Sequence, residues 1–317
     1  MNKRERVIAA FQGKETDHVP VCMWQHVPKE YWEDDLFVQY QLDAYRNTDV
    51  DFVKLSADKY FGWPAPELEG IENAKKLYEI KPLGSAHPFI RGQIERTGKI
   101  VRALNGECVA LYLVFAPLCY LRLQIGYPRM MQFIREDPEA VKYACSVIAG
   151  DVKLLIGGLI REAGVDGIFF SVQNAEENRF TCEEYRNWIT PVEKPVLDYA
   201  NTLSSMNAIH LCAWEEVPNH LSVWQDYKAP VVSWSRFIDI ADIREAKDYF
   251  GCTVWGGFDN RPGTLLYTGS REEIENEVRE MIRQGGKTGF ILGADCSIHN
   301  ELPEERIRWV VDAARKI

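Results

Sequence analysis

The sequence is short of several things, and each shortage removes a class of protein. It has no basic excess: 37 Lys and Arg face 47 Asp and Glu, a formal charge of −10. That balance argues against a nucleic-acid binder held by phosphate contacts. It has no uninterrupted apolar run of 18 residues, so no membrane-spanning helix is expected. The opening MNKRERVIAAFQGKETDHVP carries basic residues but neither a long apolar stretch nor a small-residue cleavage site, so export is not expected. Eight cysteines scattered over 317 residues are too dilute and irregular for a disulfide scaffold. They read as reduced thiols, most of them small buried hydrophobes, in a cytoplasmic protein. Low-complexity tracts, short-period repeats and Gly/Ser- or Pro-rich linkers are missing too.

What is present is an ordinary globular composition, 46% hydrophobic, enough for a large core in one or two domains. Short apolar runs alternate with longer amphipathic stretches. Candidate strands are Val19–Gln25, Asp51–Ser56, Cys108–Phe115, Gly167–Val172, Ala208–Cys212, Val231–Trp234, Thr253–Gly257 and Gly289–Leu292. Most are too apolar to be half-exposed, as expected of parallel strands covered on both faces. Asp137–Ala163 repeats Val141, Ala144, Ile148, Val152, Leu155 and Leu159 near a 3.6-residue period. Ser270 and Glu273 fit a capping box ahead of Ile274, Val278 and Ile282, and Pro303 opens a last helix. Eight strands, each followed where legible by a helix, fit a single (β/α)8 TIM barrel over residues 1–317. An open doubly wound sheet is the runner-up, lowered because no Gly-rich phosphate fingerprint follows the first strand. Residues 57–107, broken by Pro64, Pro66, Pro82 and Pro88, read as an insertion or a hairpin layer over one mouth.

The sharpest local feature is Ala208-Ile209-His210-Leu211-Cys212. Side chains alternate along a strand, so His210 and Cys212 project to the same side, at the carboxyl end where barrel active sites are built. Cys296 follows the last strand. An imidazole and two thiolates suit Zn²⁺ and leave a fourth position for substrate. The plain alternative is that a strand-borne His and Cys are core residues. Carboxylates stand at other strand ends: Asp58, the pair Glu176 and Glu177, and Asp259. Each could serve as proton donor, fourth ligand or cofactor anchor, and each could equally be a loop cap. Gly256 and Gly257 would allow close approach of a flat ligand, or simply a tight turn. Trp24, Tyr60, Phe61, Trp63, Tyr120, Trp214 and Trp234 could wall a pocket or be core packing.

Lys3-Arg4-Glu5-Arg6-Val7, Thr16-Asp17-His18-Val19-Pro20-Val21, Asp137-Pro138-Glu139 and Gly256-Gly257-Phe258-Asp259 follow one another in this order. With these stretches the chain resembles the uroporphyrinogen decarboxylase superfamily over nearly its full length, and the resemblance implies a (β/α)8 barrel. Two chemistries follow from it. The decarboxylases grip a substrate rich in carboxylates with an arginine-rich stretch after the first strand. The corresponding Cys22-Met23-Trp24-Gln25-His26-Val27-Pro28 contains no arginine, and unpaired buried carboxylates are costly. Asp58 resembles the position of the decarboxylases' essential aspartate. Cys296 stands where those enzymes typically carry histidine.

The other branch is the cobalamin-dependent methyltransferases, similar to the methylcobamide:coenzyme M enzymes, whose zinc site has the form His-x-Cys followed by a distant Cys. His210, Cys212 and Cys296 match it residue by residue, with Ala213 where a glycine is usual. The resemblance implies zinc on these three side chains, with Glu177, or less readily Glu176, as fourth ligand in the absence of substrate. It further implies a corrinoid (cobalamin) arriving on a separate corrinoid protein or free, and a small-molecule methyl donor or acceptor. A homodimer is the default for such enzymes. The expected activity is methyl transfer between a corrinoid and a thiol or similar small molecule. The alternatives are decarboxylation of uroporphyrinogen through Asp58, and a non-catalytic corrinoid- or metal-binding barrel.

Overall fold

A computed structural model describes residues 1–213 and 215–317, so Trp214 lies outside the described residues. Among the described residues seven strands form: β1 (Phe52–Leu55), β2 (Val109–Phe115), β3 (Gly167–Val172), β4 (Ala208–Leu211), β5 (Val231–Ser233), β6 (Thr253–Phe258) and β7 (Phe290–Ala294). They make one sheet in sequence order, and every neighbouring pair is parallel. Every strand residue is buried, which is why these runs are almost continuously apolar. The architecture is thus α/β with a parallel sheet, and the strand positions expected from the sequence hold to within one or two residues.

The expectation of eight regular strands is corrected at Val19–Gln25. Val21 and Gln25 make only isolated parallel bridges, to Leu292 and Ile298. The segment is nonetheless tied on both sides. Cys22 N–H donates to the Leu292 carbonyl at 3.0 Å, and Asp51 N–H to the Val21 carbonyl at 2.9 Å. Regular pairing is interrupted for two local reasons. Pro20 has no N–H to give, and the Val21 N–H is taken by the Asp51 carboxylate at 2.8 Å. The sheet therefore curls, with one segment touching β7 and the residue that leads into β1.

Residues 57–107 hold no hairpin. They form two 3-10 turns, Pro66–Leu68 and Ala74–Glu79, and the helix Pro88–Leu104. Pro66 and Pro88 occupy first-turn positions, where proline's fixed φ starts a helix. The long helix runs Pro138–Gly158 and continues through a π-turn, Leu159–Ala163. By length and hydropathy it is long and apolar enough to cross a membrane, contrary to the expectation from uninterrupted runs. Here Val141, Ala144, Ile148, Val152 and Leu155 pack into the core, and buried Asp151 caps the Leu83 and Gly84 N–H groups. The capping box at Ser270 and Glu273 forms as expected.

An aromatic plug fills the inside of the curl. Trp24, Phe52, Phe169 and Trp255 meet with ring centroids 4.9 to 5.1 Å apart. Three of these pairs are edge-on and Phe52–Trp255 is tilted; aromatic pairs add about 0.5–1.5 kcal/mol each beyond burial. The plug is the floor on which the site below is built.

Candidate metal centre

His210 and Cys212 leave β4 on one face, and Cys296 follows β7. Their ligand atoms, Cys212 Sγ, Cys296 Sγ and an imidazole nitrogen of His210, all lie within 4.8 Å of one another. The two sulfurs are 3.8 Å apart. Two sulfurs at ~2.3 Å from a tetrahedral zinc would be separated by roughly 3.8 Å, so the donor set fits that ion. The imidazole is held from behind: Nδ1 meets Ser233 Oγ at 3.0 Å, a consequence of the register that sets His210 opposite Ser233. Phe169 stacks on the ring at 5.0 Å and Trp24 meets it edge-on. Among the described residues His210 Nε2 is buried with no hydrogen-bond partner. Buried imidazole nitrogens normally find one, and a metal-binding histidine characteristically uses its second nitrogen for an orienting bond.

The electrostatics favour a cation. The hydrogen bond from Cys212 holds the Cys296 thiol well below its usual range, against burial and with help from His210. Cys212 is raised in turn by that shared bond and by burial. A dication would leave both as thiolates. Below the cluster Lys54, on β1, lies over the Trp24 and Phe169 rings at 5.1 and 5.6 Å. Burial pulls its ammonium down to about 8, against the negative charge of Asp58, Cys296 and Cys212. Neither Lys54 nor Ser233 is singled out by sequence patterning. A lysine inside an otherwise apolar strand is a signal; a serine on β5 is not.

The other expected site residues are placed differently. Glu177 is exposed and, among the described residues, joins no ligand cluster. Glu176 is buried but engaged by the Tyr127 hydroxyl at 3.2 Å and by Arg179 at 3.2 Å. Gly256 and Gly257 open no ledge for a flat ligand: a Cβ at 256 would meet the Trp234 ring at 3.0 Å, and one at 257 the Gly293 carbonyl at 2.8 Å. They exist for strand-to-strand and strand-to-indole packing. Asp259 is chelated by Arg261, with Oδ2 2.6 Å from Nη2. It borders a cavity of about 130 Å³ beside Cys296 that Phe237 and Asp295 also line. Asp58 is buried and committed to His26, Val27 and Ser56. Trp63, Tyr120 and Trp234 are core residues, whereas Tyr60 and Phe61 are half-buried.

A profile of the family described as Uroporphyrinogen decarboxylase (URO-D) matches residues 2–317. No curated protein matches the chain. Among solved structures, the chain is similar to a methyltransferase from Methanosarcina mazei, with 16% identity and a TM-score of 0.76, covering 100% of this chain and 99% of that one. It is also similar to a B12-independent methionine synthase from Shewanella sp. W3-18-1, at 13% identity and a TM-score of 0.56, covering 94% and 93%. Endo-glycoceramidase II from Rhodococcus sp. is similar at 10% identity and a TM-score of 0.52, covering 95% and 80%. At these identities the likeness is one of fold. With the profile spanning nearly every residue, the chain belongs to the uroporphyrinogen decarboxylase family.

Proposed function

We propose that the protein is a zinc-dependent methyltransferase that exchanges a methyl group between a corrinoid and a small thiol, alcohol or similar molecule. In this reading Val19–Gln25 is the eighth stave, closing the sheet into a (β/α)8 barrel whose carboxyl rim carries the site. The observation that carries it is the convergence of His210 Nε2, which among the described residues has no other partner, with two sulfurs 3.8 Å apart. Zinc held there would make a protic ligand in the open position nucleophilic, and the corrinoid would carry the methyl group. The protein's own residues present the three donors, with Ser233 holding the imidazole edge-on. The Phe169 and Trp24 rings keep water from its faces, and Lys54 offsets the charge of the thiolates. The corrinoid arrives on a separate protein docking at the rim, or free, and a homodimer is the expected assembly. The family's decarboxylase chemistry has less support here, since Cys22–Pro28 contains no arginine and Asp58 is engaged on both oxygens.

The test is metal analysis of protein purified without chelators, followed by incubation with methylcobalamin and a panel of thiols. About one zinc per chain and a corrinoid spectrum that shows demethylation are expected. Wild-type protein free of zinc ends this reading.

A further inference from the structure

His26 stands at the same end of the sheet as the metal cluster without belonging to it. Its Nδ1 is 2.9 Å from Asp58 Oδ1. Asp58 is buried, and its other oxygen accepts the Val27 N–H at 2.7 Å and the Ser56 hydroxyl. Burial pushes that carboxyl up, but the bonds from His26, Ser56 and Val27 outweigh it and keep it below the ordinary range, so it is ionised at neutral pH. An ionised carboxylate can only accept. The imidazole proton therefore sits on Nδ1, and Nε2 is the basic nitrogen. Among the described residues Nε2 has no hydrogen-bond partner, and the side chain is 45% exposed. The ring rests edge-on against Phe61. The charged groups packed behind the pair are Arg96, which donates to the Asp58 carbonyl, and Lys54, which feels the Asp58 charge.

The location ties this pair to the metal centre. Trp24 Nε1 donates to Ser297 Oγ at 2.9 Å, and Gln25 bridges Ile298. Residue 26 follows directly on this pairing, opposite the segment that comes after Cys296, and Lys54 feels the charges of both Asp58 and Cys296. An oriented imidazole with its basic nitrogen free, on the rim of a metal site, is the arrangement general acid–base catalysis uses.

We propose that His26 is the proton-transfer group of this site, oriented by Asp58, and that the demethylated form of the substrate is therefore protic: a thiol or an alcohol. This rests on the methyltransferase reading. In the delivery direction R–SH gives its proton to His26 Nε2. The sulfur then forms its bond to the methyl carbon as the carbon–cobalt bond of the methylcorrinoid breaks, the electron pair staying with the corrinoid, and the proton leaves His26 for solvent. In reverse, the protonated imidazole supplies the proton that a departing thiolate or alkoxide needs. A quaternary ammonium donor leaves as a neutral amine and would give this pair nothing to do.

The test uses the full-length zinc-loaded protein, wild type and His26→Gln, matched for zinc content and thermal midpoint. Binding of 2-mercaptoethanol is followed by calorimetry in buffers of different ionisation enthalpy at neutral pH. Wild type should release well under one proton per thiol, and His26→Gln about one. With methylcobalamin as donor, turnover of 2-mercaptoethanol should fall about hundredfold in His26→Gln with KM little changed. Asp58→Asn, which keeps the imidazole but not its orientation, should fall less, and nitrogen NMR should show His26 losing its fixed tautomer. Equal proton counts with turnover within about twofold overturn the proposal while leaving the zinc site standing. So does tetramethylammonium acting as a donor as fast as the thiol accepts, unaffected by His26→Gln. A zinc protein that binds no thiol at all removes the methyltransferase reading, and this inference with it.

Discussion

The two ends of the sheet treat buried polar groups in opposite ways. At the amino end the helix Lys3–Phe11 lies across the strand starts, and its charges are paired. Buried Arg6 reaches Asp17 at 2.7 Å and Asp51 at 2.6 Å. Arg4 grips Asp166, which also caps the Ala110 N–H, and Lys3 pairs with Asp49 at 2.6 Å. At the carboxyl end ligating groups are gathered without being closed off: among the described residues His210 Nε2 is buried with no hydrogen-bond partner, and the two cysteine sulfurs face each other 3.8 Å apart. Since an unsatisfied buried polar group costs about 1–3 kcal/mol, leaving several of them at one point makes sense where a ligand completes them. In the proposed reading the closed end secures the fold and the open end binds.

The largest expected effect separates the ends outright. Cys212→Ser or Cys296→Ser should take bound zinc from about one equivalent to near none, while the metal-free thermal midpoint stays close to wild type. If either variant keeps full zinc, the ion sits elsewhere. The converse applies to Arg6→Met. Stranding the Asp51 carboxylate should cost about 3–5 kcal/mol in urea unfolding, with the zinc stoichiometry of the folded protein unchanged.

That closed-end stability also has a pH signature. Burial raises the Asp51 carboxyl, but His18, the Val21 N–H and Arg6 bring it below its ordinary value. A depressed carboxyl contributes stability that is fully present above the unfolded value, about 3.9, and is lost as pH falls through the folded one. Wild type and Asp51→Asn should therefore differ most at neutrality and converge in acid. A gap that persists unchanged to pH 2 would mean the charge is not the cause. A smaller effect is expected at Ser233, whose hydroxyl reaches the candidate metal site through His210 Nδ1. Ser233→Ala should weaken zinc binding about 10–100-fold without abolishing it, measured by competition with a chelator.

How much of this was readable beforehand depends on the distance over which each feature is made. His210 and Cys212 are legible because alternation along one strand puts them on the same face. The strands themselves are legible because full burial on both faces demands apolar runs. Cys296 is legible as a residue type at a strand end, but its meeting with β4 is not, since β5 and β6 intervene in the sheet and only the curl brings the rims together. Glu177, Gly256 and Gly257 are legible only in part for the same reason. Their chemistry is visible in sequence, but the exposure of one and the Trp234 ring against another are tertiary facts. In Cys22–Pro28 the absence of arginine stands out, whereas the histidine there acquires meaning only when Asp58, 32 positions on, is placed against it.

Glu193 tests whether an open polar group always marks a binding site. It lies on the helix Thr190–Leu203, fully buried, with Oε2 taking the Tyr185 hydroxyl at 2.8 Å and Oε1 unpartnered. Among the described residues it belongs to no cluster of ligating side chains. Burial pushes its carboxyl from 4.5 up to about 8, against the hydrogen bonds of Tyr185 and Tyr227. Between those values the native protein holds a proton that the unfolded chain has lost, so stability should be full below about pH 4.5 and decline as pH rises. The slope is at most about 1.4 kcal/mol per pH unit, levelling once the native group has also ionised. Glu193→Gln should flatten that decline, read as the thermal midpoint between pH 5 and pH 8; parallel curves would show that the buried carboxyl holds no proton. A flattened curve with unchanged zinc content would show that this lone open oxygen is met by protonation alone. The carboxyl rim differs because three donors from two strand ends, those of β4 and β7, converge there on a single point, which protonation of one of them cannot satisfy.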